Sequence, residues 1–386
     1  MRILQLAPHP FFQERGTPID VLQVLRVLVE RPNTKVDVLV YHEGDDVDLP
    51  NLTIYRIPVL PFTRGIRPGF TLKKVICNVF MLFQAWRLLH RHRYDLIHAG
   101  EETVFFAQFF QILYRIPYVY DLDSSIAQQL VEKKPWLRPL APLFNALEAR
   151  AIRGSLANLP VCNALAELCE AKGSRKTVTI HDISQLKRPG SPQLGWLKAQ
   201  LGIQHKILLY IGNLEKYQGV DLLLAAFRIA CQKTNKVDLV VIGGTSEDIT
   251  LYQAKAKRLG ITKKTHFLGP RPFNQLEAYL AEADILACPR IRGINTPMKI
   301  FPYLHSGRPV LATDLYTHNQ RLSHNEAYLV PADPHGFAEG MVALAENEAL
   351  MQQLGRNGMA FVEREHTYEA HHRRLNQAYD WIESQL

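Results

Sequence analysis

The sequence has few cysteines, and they show no regular arrangement. The five cysteines in 386 residues are scattered and never take the C-x-x-C spacing. This argues against a disulfide framework and a zinc site and favours a reducing cytosol. No apolar run approaches the roughly 20 residues that cross a bilayer. The opening MRILQLAP is too short an apolar run for a signal peptide, so we expect it to form a first buried strand.

Two other kinds of pattern are also missing. No G-x-G-x-x-G motif follows the first apolar run, which disfavours a dinucleotide cofactor. The chain has no low-complexity tract and no repeat at a solenoid period. The charge, in contrast, is unbalanced, with a formal net charge of +8 at pH 7. That excess favours anionic partners such as phosphorylated substrates, acidic lipid surfaces or nucleic acid, without choosing among them.

Short runs rich in Val, Ile and Leu alternate with longer amphipathic runs along the chain. This alternation is typical of parallel sheets covered by helices on both faces. It occurs in two blocks, so we predict an α/β protein with two doubly wound, Rossmann-like domains that face each other across a cleft. The predicted elements include strands at Arg2–Leu6, Tyr118–Leu122, Lys206–Ile211 and Val237–Ile242 and helices at Leu72–Arg91 and Phe273–Ala283.

The domain boundary is predicted in KRPGSPQLGWL, a stretch rich in proline, glycine and serine that follows the last strand of the first block. We therefore expect an N-terminal domain over residues 1–190 and a C-terminal domain over residues 191–365. The remaining residues, 366–386, are expected to form a C-terminal helix that packs back toward the N-terminal domain.

The second block contains RGINTPMKIFPYLHSG, which sets a lysine between two prolines. Thr296 suits the N-cap and Pro297 the first position of a helix, whose free N–H groups would form an anion site. Lys299 adds a full positive charge beside that turn, so we expect a phosphate-binding turn here. The alternative is a lysine that lies along an apolar helix with its ammonium in water. Pro302 is expected to kink or shorten the helix.

Several other strands of the second block end in turns that carry glycine or a cation. Ligands of open α/β sheets bind beyond the carboxyl ends of the strands. The convergence of these turns at one sheet edge therefore indicates an anionic, nucleotide-like ligand. The turns contain Gly212, Lys216, Gly219, Gly243, Gly244, Gly269 and Arg271.

Two turns of the first block could also face a ligand. Gly16 would let a ligand approach the backbone, and Thr17 could cap the next helix, although an ordinary strand-to-helix turn has the same features. Asp121 and Asp123 are two residues apart and share one face of an extended strand. They could act in proton transfer or bind a metal, while Asp123 or Ser124 could instead cap a helix. We expect no metal, because no further ligand cluster is evident.

The stretch from Arg64 to Arg93 contains no acidic residue. It interleaves cations with the apolar run VICNVFMLFQAW of a predicted helix. One interpretation is a core helix with a solvated basic edge. The other is an interfacial helix that binds anionic lipid, where each surface cation adds about 1 kcal/mol. The cations of this basic patch are Arg64, Arg67, Lys73, Lys74, Arg87, Arg91 and Arg93.

Four segments together resemble the family-4 glycosyltransferases of the two-domain GT-B fold. YIGNLEKYQGVDLLLAAF resembles the family pattern Y-x-G-R-L-x-x-x-K-G-x-D. TPMKIFPYLHSGRPVLATD resembles the donor motif P-x-K-x-x-E-Y-x-A-x-G-x-P-V-V-A-T-D. The segments THFLGPRPFNQLEAYLAEADILACP and HNEAYLVPADPHGFAEGMVALAEN resemble the stretches beside that motif. The resemblance covers nearly all of the chain.

The sequence departs from the family pattern at functional positions. Asn213 and Gln218 stand where the family usually has the arginine and the lysine that hold the donor diphosphate. Pro302 replaces the carboxylate that usually binds the nucleotide ribose, and Ile294 replaces its partner glutamate. Asp123 falls near the histidine common in the first domain of the family. Donor binding must therefore be rebuilt or lost.

The resemblance implies a retaining glycosyltransferase of the hexosyltransferase type, which moves a sugar from a nucleotide-diphosphate donor to a hydroxyl acceptor in polysaccharide or glycolipid assembly. The protein would supply positioning and charge stabilisation, since the leaving diphosphate can itself take the acceptor proton. The donor would bind chiefly to the second domain, with Gly16 contributed by the first domain, and the acceptor would bind to the first domain. The donor-binding residues would be Gly16, Asn213, Lys216, Gln218, Gly244, Arg271, Asn295, Thr296 and Lys299. The residues facing the acceptor and the chemistry would be Asp121, Asp123 and Glu102.

The resemblance also implies the partners. They are a nucleotide sugar as co-substrate and a lipid-linked or saccharide acceptor, with no other cofactor and no metal. We expect no nucleic-acid partner, because the basic stretch carries no recognised motif. We expect a cytoplasmic protein that is peripheral at the inner membrane face if the basic patch binds lipid. The alternative function is a catalytically degenerate relative that binds sugar or nucleotide as a partner subunit.

Overall fold

The structure is a computed structural model in which the chain forms two compact units. One unit comprises Met1–His181 with Tyr368–Leu386, and the other comprises Asp182–Thr367. Most of the predicted boundary stretch KRPGSPQLGWL lies outside the described residues. The structure describes residues 1–13, 16–66, 71–133, 135–186 and 195–386.

The first unit is built on a parallel six-stranded sheet of order β3-β2-β1-β4-β5-β6. Its central strands are buried along nearly their whole length because helices cover both faces. The strands are β1 (Arg2–Leu6), β2 (Lys35–Val40), β3 (Leu52–Arg56), β4 (Leu96–Gly100), β5 (Tyr118–Leu122) and β6 (Asn158–Pro160). The helices are α1 (Gly16–Glu30), α2 (Leu72–Arg91), α3 (Val104–Tyr114), α4 (Ile126–Lys133), α5 (Ala141–Gly154) and α6 (Asn163–Ala171).

The second unit repeats this design with strand order β12-β11-β10-β7-β8-β9. Leu208 and Leu209 are neighbours in the central strand and belong to apolar clusters on opposite faces of the sheet. The strands are β7 (Lys206–Ile211), β8 (Val237–Ile242), β9 (Thr265–Gly269), β10 (Ile285–Cys288), β11 (Val310–Thr313) and β12 (Tyr328–Val330). The helices are α7 (Trp196–Leu201), α8 (Val220–Lys233), α9 (Ser246–Arg258), α10 (Leu276–Glu282), α11 (Ile300–His305), α12 (Tyr316–Asn319), α13 (Pro334–Glu346) and α14 (Glu348–Glu365).

The last helix, α15 (Tyr368–Glu383), belongs to the first unit. Tyr379 and Ile382 are buried in the same apolar cluster as Leu25 of α1. Arg31 follows α1, and its Nη2 lies 2.8 Å from Asp380 Oδ1. The C-terminal helix α15 therefore completes the hydrophobic core of the first unit.

Each sheet reverses its strand order between two neighbouring strands. This switch point lies between β1 and β4 in the first unit and between β7 and β10 in the second. Connections leave in opposite directions at such a point and open a crevice at the carboxyl ends of the strands. The residues that follow these four strands are therefore the first places to look for a site.

The predicted α/β architecture with two doubly wound domains is confirmed by the two parallel sheets. The predicted helix Phe273–Ala283 is shorter than expected, because Phe273–Gln275 forms a 3-10 helix and α10 begins at Leu276. None of the helices in the described ranges combines the length and the hydropathy of a bilayer-spanning segment. The 3-10 helices are Pro61–Thr63, Glu101–Thr103, Pro135–Leu140, Lys216–Gln218, Thr262–Lys264 and Phe273–Gln275.

Candidate functional site

Lys299 lies at the β7/β10 switch point with its charged end buried. Its Nζ is shielded from solvent and has no hydrogen-bond partner among the described residues. The Nζ lies 4.2 Å from the centroid of the Tyr210 ring, which is a cation–π contact. A buried ammonium without a counterion is costly. The arrangement therefore favours an anionic ligand at this nitrogen.

Gly212, directly after β7, leaves the space that this ammonium occupies. A Cβ at Gly212 would lie 2.5 Å from the lysine Nζ. The turn is held from two sides, because the Tyr210 hydroxyl donates to the Asn213 carbonyl at 2.6 Å. On the other side, the Tyr303 hydroxyl accepts from Ile211 N at 2.7 Å and donates to Ile211 O at 3.0 Å. The backbone at the end of β7 is thus fixed around the ammonium.

Within the described part of the chain, the ionisable groups that act on Lys299 are cationic or neutral. Burial lowers the pKa of Lys299 to about 8, and the guanidinium of Arg290 acts in the same direction. Burial also lowers the pKa of His318 to about 4 and raises the pKa of the Cys288 thiol. His318 Nδ1 donates to the Thr313 carbonyl at 2.8 Å, which leaves Nε2 to accept from Cys288 Sγ at 3.3 Å. This pair is therefore neutral at pH 7, and positive charge dominates the site.

Two further residues of the predicted donor set carry buried polar atoms without partners. Thr296 is 5% exposed and Gln218 is 7% exposed. Within the part of the chain that the structure describes, Thr296 Oγ1 and Gln218 Oε1 form no hydrogen bond. An unsatisfied buried polar atom costs roughly 1–3 kcal/mol. With Lys299, three predicted donor residues thus have a buried polar atom that a ligand could satisfy.

The predicted helix start at Thr296 is wrong. Helix α11 begins at Ile300 and has six residues, so no helix N-terminus supports an anion at Thr296. Pro302 gives the physical reason, because it would interrupt the hydrogen bonds of a helix that began at Thr296. In a helix that begins at Ile300, Pro302 falls in the first turn, where N–H groups have no intrahelical partner.

The other predicted donor residues of the second unit lie in more open positions or contribute their backbone. Asn213, Lys216 and Arg271 are exposed. Gly244 takes a left-handed φ of +82°, and a Cβ there would lie 2.5 Å from a leucine side chain. The Asn295 carbonyl accepts a threonine hydroxyl at 2.5 Å. The donor-binding roles of these five residues stay predictions.

Arg290 is a cation of this site that the sequence did not single out. It lies two residues beyond β10, and its guanidinium carbon is 5.2 Å from the centroid of the Tyr217 ring. Its Nε donates to the Arg292 carbonyl at 2.8 Å. The signal that could have found it is its place at the carboxyl end of a central strand, where ligands of such sheets bind.

Three carboxylates converge at the carboxyl end of β5 in the first unit. One oxygen each of Asp20, Asp121 and Asp123 lies within 4.8 Å of the other two. Asp20, on α1, was missed because a single acidic residue in an amphipathic helix looks like a solvated charge, yet it is 7% exposed. Three such groups can share a proton or hold a divalent cation. The expectation of no metal rested on the lack of a third ligand, and Asp20 supplies one.

His98, on β4, holds Asp121 in a fixed orientation. Its Nε2 lies 3.0 Å from Asp121 Oδ2 and its Nδ1 lies 2.5 Å from the Tyr379 hydroxyl. In the neutral tautomer that satisfies both contacts, Nε2–H donates to Asp121, and Nδ1 accepts a hydrogen bond from the Tyr379 hydroxyl. Burial and the charge of Asp121 raise the pKa of Tyr379, so the phenol keeps its proton. Helix α15 therefore orients Asp121 through His98.

Two glutamates and a lysine form an ionic cluster beyond β4, at the first switch point. Lys74 Nζ lies 2.6 Å from Glu101 Oε2 and 3.0 Å from Glu102 Oε1, and Asn78 Nδ2 donates to Glu102 Oε1 at 2.9 Å. Burial opposes ionisation of Glu101, but the ion pair with Lys74 lowers its pKa. Burial and the charge of Glu101 raise the pKa of Glu102. Glu102 is thus the carboxylate that more readily holds a proton.

The predicted caps in the first unit are corrected by the structure. Helix α1 begins at Gly16, so Thr17 lies inside the helix and is not its N-cap. Helix α4 begins at Ile126, and the residue in capping position is Ser125, whose Oγ accepts from a backbone N–H of the first turn at 3.3 Å. Asp123 is therefore not in the capping position of α4.

Helix α2 exposes apolar side chains and cations together. Its exposed large apolar residues recur every three or four positions and are Leu72, Val75, Val79, Phe83 and Trp86. The exposed cations of the basic patch are Arg64, Lys73, Arg87, Arg91 and Arg93. Lys74 was wrongly included in the patch, because its side chain is 12% exposed and pairs with two glutamates. Arg67 lies outside the described residues.

The chain matches two models of glycosyltransferase families. The model described as Glycosyltransferase Family 4 matches residues 18–182. The model described as Glycosyl transferases group 1 matches residues 205–347. The two matches lie in succession and together cover most of both units.

Similar proteins support the same assignment. The phosphatidyl-myo-inositol mannosyltransferase of Mycobacterium leprae is 27% identical over 369 residues, which cover 94% of this chain and 92% of the relative. Sucrose-phosphate synthase from Thermosynechococcus elongatus has a similar structure, with a TM-score of 0.80 at 17% identity over 100% of both chains. HepE of Anabaena, solved with UDP, has a TM-score of 0.76 at 15% identity, again over 100% of both chains. The chain therefore belongs to the family-4 glycosyltransferases and has their two-domain GT-B fold.

Proposed function

We propose that this glycosyltransferase uses a nucleotide-diphosphate sugar as donor. The observation that carries the proposal is the buried Lys299 Nζ without a hydrogen-bond partner among the described residues. A diphosphate supplies the missing negative charge at the place where open α/β sheets bind ligands. Donor hydroxyl and phosphate groups would also satisfy Thr296 Oγ1 and Gln218 Oε1. The solved complexes of HepE with UDP and with UDP-glucose are in line with this donor class.

The transfer retains the configuration of the anomeric carbon in this proposal. The acceptor oxygen attacks that carbon on the face from which the diphosphate leaves, so the bond to the diphosphate oxygen breaks as the new glycosidic bond forms. The acceptor proton passes to the departing diphosphate. Lys299 stabilises the negative charge that develops on the leaving group. A preorganised charge in a site that excludes water lowers the activation barrier substantially. No side-chain nucleophile and no metal is required for this step.

The acceptor is a hydroxyl compound of polysaccharide or glycolipid assembly, bound on the side of the acidic residues. Asp121, Asp123 and Glu102 carry oxygens that accept hydrogen bonds from sugar or polyol hydroxyls. Asp121 suits this role because His98 fixes one of its oxygens. The name of the Mycobacterium leprae relative gives it an inositol lipid, which is in line with a lipid-linked acceptor.

The basic patch attaches the protein to an anionic membrane in this proposal. The apolar stripe of α2, for example Phe83 at 58% and Trp86 at 45% exposure, would enter the lipid interface beside Arg87 and Arg91. Sedimentation with vesicles of phosphatidylglycerol and phosphatidylcholine tests it. We expect wild-type protein to sediment and the variant with Arg87→Gln and Arg91→Gln to stay in solution. Equal sedimentation of both proteins would exclude the patch as the lipid contact.

Nucleotide binding and turnover test the proposed function. UDP, GDP and ADP are titrated against the thermal midpoint, and donor consumption is then followed with a lipid extract as acceptor. We expect at least one diphosphate to stabilise the protein and its sugar ester to be consumed, with a product of retained anomeric configuration by NMR. Stabilisation without turnover would indicate a non-catalytic binding subunit. A protein that responds to none of the three diphosphates would contradict the donor class itself.

A further inference from the structure

Arg290 is held in a fixed position on the same sheet edge as Lys299. Its Nε donates to the Arg292 carbonyl at 2.8 Å, and its guanidinium carbon lies 5.2 Å from the centroid of the Tyr217 ring. The guanidinium also packs directly on Gly293, where an added Cβ would collide with it. A planar guanidinium held on three sides loses little further freedom when it binds an anion.

The backbone around Arg290 is fixed as well. The Thr313 hydroxyl donates to the Arg290 carbonyl at 2.5 Å. Ile291 N donates to the Tyr217 carbonyl at 3.0 Å, which ties this loop to the 3-10 helix Lys216–Gln218. The loop beyond β10 and the turn beyond β7 therefore form one packed structure.

The charges at this edge suit an anion with two negative groups. Among the described residues, the charged or ionisable side chains that act on Lys299 are Cys288, whose thiol is neutral, and Arg290. Two cations close together repel each other, and a dianion placed between them removes that repulsion. A diphosphate ester carries one negative charge on each phosphate, so a single lysine neutralises only half of it. The site thus suits negative charge on two separate phosphates, whereas a nucleoside monophosphate carries both of its charges on one phosphate.

The other cations of this edge are less suited to the second charge. Lys216, Arg271 and Arg292 are exposed, so each would have to lose side-chain freedom to hold a phosphate. Arg290 is half-buried and already fixed. A guanidinium can bind two oxygens of one phosphate, which an ammonium cannot do.

We propose that Arg290 is the second diphosphate-binding cation of the donor site, a role that rests on the proposed nucleotide-diphosphate donor. Lys299 and Arg290 then each bind one phosphate of the donor. Arg290 replaces the positive charge that the chain lacks at Asn213 and Gln218, where the resemblance would put an arginine and a lysine. It also makes the site specific for diphosphates over monophosphates.

Binding of UDP, GDP, ADP and their monophosphates, measured by calorimetry at fixed salt, tests this role. Arg290→Met removes the charge and keeps apolar packing on Tyr217, while Arg292→Met removes a neighbouring exposed charge as the matched control. We expect Arg290→Met to lose at least about tenfold in diphosphate affinity, since a charge-assisted hydrogen bond contributes that much. The monophosphate affinity should fall less than about threefold, and Arg292→Met should bind like wild type.

Restoring a positive charge at another position distinguishes direct phosphate binding by Arg290 from a purely structural role of Arg290 in the loop. Asn213→Arg in the Arg290→Met background should recover part of the diphosphate affinity, and Arg290→Lys should retain part of it. Equal losses for diphosphate and monophosphate, with no recovery by Asn213→Arg, would mean that Arg290 only braces the loop. Unchanged diphosphate binding in Arg290→Met would also overturn the role. If wild-type protein itself binds none of the diphosphates, the donor class fails first, and the Arg290 role fails with it.

Discussion

The ammonium of Lys299 faces an aromatic ring, with its Nζ 4.2 Å from the centroid of Tyr210. A cation–π contact compensates for lost hydration less well than an ion pair with good hydrogen bonds. The pKa of Lys299 falls to about 8 from its usual 10.5, which means that the folded state disfavours the charge. The protein therefore carries a buried positive charge at pH 7 at a cost in folding free energy.

Lys299→Met should stabilise the fold and remove donor binding together. We expect the free energy of unfolding to rise by about 1–2 kcal/mol at pH 7, because an apolar side chain replaces a buried charge without a partner. Calorimetry should find at least about tenfold weaker diphosphate binding. The control Lys216→Met removes an exposed charge and should leave stability within about 0.5 kcal/mol. A destabilised Lys299→Met protein that still binds diphosphate would contradict the assignment.

Diphosphate affinity should depend on pH above about 8. The folded-state pKa of Lys299 is about 8, so below that value the lysine is charged and affinity is nearly constant. Above it the free protein loses the proton that the complex needs, and affinity falls by up to about tenfold per pH unit. The neighbouring Cys288 thiol has a raised pKa, and nucleotide phosphates are fully ionised above about pH 7, so neither opposes the trend. Lys299→Met is the control and should show a flat profile.

Gly212→Ala should weaken diphosphate binding in addition to destabilising the fold. The added Cβ would lie 2.5 Å from Lys299 Nζ and displace it, and Gly212 has a φ of +156°, so the substitution also strains the backbone. Gly202→Ala is the control, because Gly202 has a φ of +67° and nothing within 4 Å of an added Cβ. We expect the control to lose about 1 kcal/mol of stability from backbone strain and to keep its affinity. Equal diphosphate affinities for Gly212→Ala and wild type would show that the lysine need not occupy this space.

Much of the fold could be read from the sequence, because buried parallel strands are continuous apolar runs bounded by turns. The strands Arg2–Leu6, Tyr118–Leu122, Lys206–Ile211 and Val237–Ile242 have the predicted bounds. The predicted helix start at Thr296 was wrong because the prediction relied on the local capping pattern. It gave too little weight to Pro302, six residues later, which interrupts the hydrogen bonds of such a helix. Residues of the candidate site could be predicted only where a single segment of the sequence contains the whole pattern. Lys299 was found in its own motif.

Residues that meet through tertiary packing could not be found in this way. Asp20 lies about a hundred positions before Asp121, and nothing in one sequence indicates that α1 brings its carboxylate to the end of β5. Lys74 looked like a surface cation, because its neighbours in the chain are basic or apolar and its acidic partners come from the turn after β4. Arg290 was missed because its partner Tyr217 belongs to the turn after a different strand.

Asp121→Asn should impair acceptor binding and leave donor binding intact. The amide keeps the shape of the side chain but removes the charge that accepts from His98 and, in our proposal, from an acceptor hydroxyl. We expect the acceptor KM to rise about tenfold, as for the loss of one charged hydrogen bond. Diphosphate affinity should stay within about twofold. The exposed Asp48→Asn is the control for charge alone, and an unchanged acceptor KM in Asp121→Asn would remove this residue from the acceptor site.

Transfer should continue after divalent metals are removed. In our proposal the cations that neutralise the diphosphate are Lys299 and Arg290 of the second unit, so chelation with EDTA should change the rate by less than about twofold. Among the described residues, the carboxylates of Asp20, Asp121 and Asp123 form the one cluster that could hold a metal ion. The variant Asp20→Asn tests whether this cluster binds a metal that transfer needs. If EDTA stops transfer, Mg²⁺ restores it, and Asp20→Asn raises the Mg²⁺ concentration needed, the cluster is a metal site and the metal-free mechanism is wrong. A transfer rate that changes with neither EDTA nor Mg²⁺ would support the metal-free mechanism.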